Sequence, residues 1–100
     1  MKSRDVIFSP EARDDILRMY DQIADRVGMS VALGYIERLE AYCLRLDLAS
    51  ERGSRRDDIR AGLRIVGFER RVTVAFSVDE NVATILRLFH GGQNWEEIMR

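Results

Sequence analysis

The order of hydrophobic periods along this 100-residue chain predicts an α+β fold, with an antiparallel helical hairpin packed on an antiparallel sheet. Three observations carry it. Apolar residues recur at spacings of three and four from about residue 10 to 49, the period changes to two between residues 63 and 89, and the connections within each half are too short for crossovers. The opening run Asp5-Val6-Ile7-Phe8 is short, β-branched at its centre and stopped by Ser9-Pro10, so it reads as an N-terminal strand that joins the sheet at an edge.

Serine before proline suits the cap and first position of a helix, and Glu11, Asp14 and Asp15 then place negative charge at the positive end of its dipole. Ala12, Ile16, Met19/Tyr20, Ile23/Ala24 and Val27 form one stripe, and Gly28 ends the helix. Ser30 is placed to cap a second helix, whose stripe Ala32, Ile36, Leu39, Cys43, Leu46 runs to about Ala49. With about three residues between them, the two helices must fold back on each other. Gly34, inside the second helix, is expected to mark a close helix–helix crossing, and Cys43 to be a buried, inert thiol.

Residues 50–62 have no apolar period and read as a polar connecting loop. Three β-branched and aromatic runs follow, Leu63–Phe68, Val72–Val78 and Val82–Phe89, separated by short turns at Glu69-Arg70 and Asp79-Glu80-Asn81. They form a three-stranded antiparallel meander. Gly91-Gly92 closes the last strand, and Asn94 is placed to cap a final helical turn carrying Trp95 and Ile98. Strict alternation sends Thr84, Leu86 and Leu88 one way and Ile85, Arg87 and Phe89 the other, while Arg64 and Val66 oppose Leu63 and Ile65. With the Leu/Ile faces under the helices, Arg64 and Arg87 are expected to project together from the sheet's far side.

Composition narrows the chemistry. One cysteine and one histidine, His90, leave no internal disulfide and too few soft ligands for a zinc site, and no cofactor is implied. No apolar stretch reaches membrane-spanning length and the first residues lack a signal-peptide core, so the expectation is a soluble, cytoplasmic protein with no membrane partner. Net charge is −1, yet residues 52–71 hold seven arginines against three acids, and Lys2 is the only lysine. Arginine recognises phosphates and carboxylates but does not accept protons at neutral pH, which favours recognition over proton chemistry.

The order of strand, helical hairpin, polar loop and meander, with Gly53-Ser54-Arg55-Arg56-Asp57-Asp58-Ile59-Arg60-Ala61-Gly62-Leu63-Arg64, resembles the RelE/ParE toxin superfamily of bacterial type II toxin–antitoxin systems. The closing Ile85-Leu86-Arg87-Leu88-Phe89-His90-Gly91-Gly92-Gln93-Asn94-Trp95 is similar to the ParE branch, and Phe8-Ser9-Pro10-Glu11-Ala12 resembles the family's entry into its first helix. The resemblance covers nearly the whole chain and implies one toxin domain over residues 1–100, held inactive by a cognate, ParD-like antitoxin. It also implies two activities to separate: ParE-like members poison DNA gyrase, whereas RelE-like members cleave mRNA on the ribosome.

Cleavage by a 2′-hydroxyl needs a proton acceptor, a proton donor and cations for the developing charge. Only the cations are well supplied here, because Tyr20, Tyr35 and Tyr42 all fall on helices and His90 alone titrates near neutrality. The expectation is therefore gyrase inhibition without catalysis, with target contacts at Arg64, Arg87, His90 and Trp95 and no sequence-specific nucleic-acid binding by the toxin alone. The alternative catalytic set is His90 with Arg64 and Arg87. Left-over apolar positions Leu17, Tyr20, Leu44 and Leu48, with Arg55, Arg56 and Arg60, are the expected antitoxin contacts. Structural roles compete with these: Arg64 and Arg87 can pair with an acid such as Glu69, His90 can terminate its strand, and Trp95 can seal the core.

Overall fold

Asp5–Phe8 forms β1 in a computed structural model of the chain, which describes residues 4–49 and 52–100 and their side chains except those of Leu48 and Ala49. Ser9 then does two jobs. Its hydroxyl accepts the Ala12 N–H (3.0 Å) as N-cap of α1 (Pro10–Val27) and donates to the Leu86 carbonyl (2.8 Å), fixing the helix start to the sheet. At φ +99°, Gly28 is the entire connection to α2 (Met29–Leu44), so Ser30 lies inside the second helix rather than capping it. A single linking residue is shorter than the expected three because glycine tolerates this backbone conformation. The second helix also stops early. Arg45 donates its N–H to both Ala41 and Tyr42 carbonyls, tightening the turn before a short α3 (Leu46–Ala49).

The stripe of α2 is buried as its spacing requires: Ala32, Ile36, Leu39, Cys43 and, beyond the break, Leu46 all lie in the core. Burial pushes the Cys43 thiol up to about 12, which keeps it protonated. Gly34 departs from expectation, since a methyl group there would meet nothing within 4 Å and no tight crossing requires it. From the α1 stripe, Ala12 and Met19 are buried whereas Val27 is 58% exposed at the hairpin tip.

Beyond the hairpin, β3 (Leu63–Phe68), β4 (Val72–Val78) and β5 (Val82–His90) make the expected meander. The β3–β4 turn has positive φ at both Glu69 (49°) and Arg70 (60°), the twist that joins tightly linked antiparallel strands. β1 pairs in parallel with β5 at one edge. The expected polar loop contains another strand, β2 (Ser54–Arg55), antiparallel to β3, so the sheet has five strands in the order β1-β5-β4-β3-β2. Gly53 permits it: φ is +86° and a Cβ there would run into the Ile65 carbonyl.

The faces differ from strict alternation because β5 carries a bulge. Phe76 pairs with Ile85 and Ala75 with Arg87, leaving Leu86 as the extra residue. Ile85 and Leu88 consequently both face the helices with Val72, Val74, Phe76 and Phe68, while Leu86 and Phe89 face the other side with Leu63 and Ile65. Arg64 pairs with Phe76 and shares its helix-side face, whereas Arg87 pairs with Ala75 of the far side, so the two arginines do not project together. Nor is the far face open. Trp95 and Met99 of α4 (Trp95–Met99) pack on it, with Ile59 from the turn after β2. Met99 is the buried anchor (1% exposed) and the expected Ile98 is 44% exposed.

Candidate functional site

β1 ends at Phe8 opposite Ile85, which leaves the last residues of β5 with an unpaired edge. Asp15 of α1 occupies that edge. Its carboxylate accepts the Leu88 N–H (2.9 Å) and two bonds from the Arg87 guanidinium, Nε at 2.8 Å and Nη2 at 3.0 Å, with Arg18 adding a third cationic contact at 2.7 Å. The Asp15 side chain is only 5% exposed, so this is a desolvated, multiply satisfied ion pair. Arg87, expected as a target contact, is thereby committed to holding α1 against β5, and it also lies over the Phe89 ring at 5.1 Å.

Arg56 is committed in a similar way. It bonds Asp58 and Glu96 at 2.9 Å each and covers the Trp95 ring at 5.1 Å, so it pins α4 to the far face. Neighbouring Arg55 pairs with Asp57 at 3.1 Å, while Arg60 is exposed with no hydrogen-bonded side-chain partner among the described residues. Glu69, expected opposite Arg64 or Arg87, is instead forked by Arg38 at 3.1 and 3.3 Å. Of the expected apolar contacts, Leu17 and Leu44 are 64% and 52% exposed and Tyr20 is half-buried, and the Leu48 side chain lies outside the described residues.

Arg64 borders a shallow hollow of about 360 Å³ with Arg4, Arg55, Asp79 and Glu80. His90 lies at the other end of the sheet. Phe68 of β3 and His90 are both registered on Val72, and Arg64 is four residues back along β3, about 13 Å away at strand spacing. The structure thus does not assemble His90, Arg64 and Arg87 into one constellation, and Trp95 belongs to the opposite face from His90.

A different set surrounds His90. A cleft of about 920 Å³ opens between the hairpin tip and the β3–β4 turn, with an apolar wall of Ile23, Val27 and Val31. Tyr35 packs edge-on to His90, ring centres 6.4 Å apart, and Arg38 stacks over its ring at 5.3 Å. Tyr35 is 9% exposed, and its hydroxyl is buried without a hydrogen-bond partner. Desolvation, then the Glu69 charge, raises its pKa against opposing Arg71 and Arg38. His90 is pushed the other way from its usual value, by burial first and then by the charges of Arg71 and Arg26, all of which disfavour its protonated form. Its backbone N–H donates to Gln93 Oε1 at 3.0 Å.

Sequence reasoning singled out His90 but not Tyr35, Arg26, Arg38 or Arg71. Tyr35 falls three residues after Ala32 and four before Leu39 of the α2 stripe, the available sign that it faces inward. Arg71 is brought in by the tight turn, with its carbonyl accepting the Gly91 N–H at 2.9 Å beside His90.

Comparison with known proteins agrees with this architecture. Residues 6–95 match the family model for the ParE toxin of the type II toxin–antitoxin system parDE. Among solved structures, the chain is similar to one from the chromosomal ParDE toxin–antitoxin system of P. aeruginosa, with TM-score 0.78 and 21% identity over 89% of this chain and 97% of that one. It is also similar to one from the toxin–antitoxin complex RelBE2 of Mycobacterium tuberculosis, with TM-score 0.65 and 18% identity over 93% of this chain and 97% of that one. No curated protein matches the sequence closely enough to stand as a relative.

Proposed function

The chain belongs to the family of ParE toxins of type II toxin–antitoxin systems, and from that premise we propose that it acts as one toxin domain that inhibits DNA gyrase by binding and is neutralised by a cognate ParD-like antitoxin. The observation that carries the non-catalytic reading is the dispersal of the only combination expected to cleave RNA. Arg87 is held by Asp15 and Arg64 stands at the other end of the sheet, so neither of the expected cations joins His90. Target contact is assigned to the hollow that half-buried Arg64 and Arg4 border with exposed Arg55, arginine being enriched where binding energy concentrates. Leu17 and Leu44, exposed on the hairpin, supply apolar area for an antitoxin segment that folds on binding.

A ribosome-dependent mRNA endonuclease is the second reading, favoured by one observation, the gathering of Tyr35, Glu69 and two arginines around His90. Induced expression without antitoxin separates the two, with gyrase supercoiling and pulse-labelled protein synthesis followed together. The gyrase reading requires supercoiling to fail before translation does and His90→Ala to remain toxic. Early mRNA cleavage with supercoiling untouched, abolished by His90→Ala in a folded protein, replaces it with the nuclease reading.

A further inference from the structure

We propose that the cleft at His90 is a phosphate site, in which Arg26, Arg71, the Tyr35 hydroxyl and the His90 imidazole converge on one tetrahedral oxyanion. The inference is independent of which cellular target the toxin inhibits.

The first ground is an unmet hydrogen bond. A tyrosine hydroxyl deprived of water and left without a partner is costly, and native proteins rarely keep one unless something else completes it. Tyr35 is nine-tenths buried and lines the cleft, so its hydroxyl, shut off from water in the unliganded protein, is open to an anion through a small shift of the side chains around it. The second ground is uncompensated charge. Arg38 is forked on Glu69, whose charge also reaches Arg71 at longer range, but no hydrogen bond or ion pair engages the side chains of Arg26 and Arg71 among the described residues. Asp25 also lines the cleft, so its acids and arginines leave one net positive charge before the histidine is counted.

The third ground is geometry. The four donors come from α1, α2, the β3–β4 turn and the end of β5, and the fold brings all four residues to the lining of one cleft, where an anion with several acceptor oxygens can engage more than one of them. At about 920 Å³ the cleft is in the range of small-molecule sites, and its Ile23, Val27 and Val31 wall gives the apolar part of a phosphate ester something to lie on. Free phosphate and a nucleoside monophosphate both present the required group.

Because His90 is the only histidine, its ring proton resonances report the site without ambiguity. The full chain is titrated with inorganic phosphate and, separately, with adenosine 5′-monophosphate, at ionic strength held constant with chloride. Saturable shifts of the His90 resonances are expected, together with a rise in its pKa as a bound anion offsets the charges of Arg71 and Arg26. Binding of the nucleotide more than about tenfold tighter than phosphate identifies an ester ligand, and equal affinity identifies the free anion. Arg71→Gln, or Arg26→Gln should the first variant fold poorly, should weaken binding by more than about tenfold. Tyr35→Phe should weaken it roughly threefold to tenfold while raising the unfolding midpoint of the unliganded protein, a combination that a merely structural hydroxyl does not give. Unchanged His90 resonances, a response equal to that of chloride, or full binding by folded Arg71→Gln and Arg26→Gln variants overturns the proposal.

Discussion

Asp15 illustrates how a residue's role can be set by an absence elsewhere in the fold. Because β1 ends before β5 does, a backbone N–H is left over at Leu88, and only a carboxylate can satisfy it and two guanidiniums together. Removing the carboxylate in Asp15→Ala strands a half-buried arginine and a backbone donor, and should cost about 3–5 kcal/mol in denaturant-monitored stability. Arg18→Ala, with its side chain 62% exposed, should cost about 1 kcal/mol or less. From the sequence, Asp15 reads only as one of three acids complementing the helix dipole, although it sits three after Ala12 and four before Met19, on the buried stripe. Polar residues on an apolar stripe are ambiguous until their partner is located, and Arg87 is 72 positions away. His90 offers a second residue-level test. Its pKa is depressed in the folded state, so the unfolded chain binds more protons, and stability should fall as pH drops through the unfolded value near ~6.5 towards the lower folded one. His90→Gln should flatten that part of the pH–stability curve.

At the scale of elements, the hairpin was the most legible part, because a stripe buried on one side repeats often enough to outweigh any single irregularity. Gly34 is such an irregularity. It sits in a helix with open space around its missing side chain, so Gly34→Ala should raise stability by up to about 1 kcal/mol in thermal or denaturant unfolding. Gly53→Ala should do the reverse, by at least ~1–2 kcal/mol, because a left-handed residue acquires a Cβ that strikes the Ile65 carbonyl and levers β2 off β3. Amide exchange at Ser54 and Arg55 would show whether the loss is local. β2 was unreadable because two residues between glycines and arginines have no period, and their pairing is determined by β3. The β5 bulge was hidden for a related reason. One extra residue reverses every later side chain, yet Ile85-Leu86-Arg87-Leu88-Phe89 remains a plausible alternation in either phase. That single insertion is what separated Arg87 from Arg64 and undid the expected site.

Over the whole molecule, the arginine-rich segment that looks like one basic block in sequence becomes two separate regions, and this governs how an acidic partner can use it. β3 runs between them for six residues, about 20 Å, with Arg55, registered on Arg64, and Arg60 near its start and Arg70 and Arg71 after its end. Internal pairing further thins the first region, since Asp57 takes Arg55 and Asp58 with Glu96 takes Arg56. At ~0.15 M salt the screening length is about 8 Å, so a charge placed at one end is scarcely felt at the other. An antitoxin engaging both ends must therefore span β3 with acids at separated positions, and its two sets of contacts should be energetically independent. Arg60→Glu and Arg70→Glu are each expected to weaken antitoxin binding mainly at low salt, and their effects on binding free energy should add within about 0.5 kcal/mol in the double variant. Calorimetric or surface-binding titrations across a salt series measure both quantities. Arg56→Ala serves as the contrasting variant. It releases α4 and exposes Trp95, so its defect should persist at high salt and be accompanied by a red shift in the emission of the single tryptophan. Strong coupling between Arg60 and Arg70 would mean that one antitoxin segment orders both ends at once, and salt-independent loss at either would mean that its arginine contributes packing rather than charge.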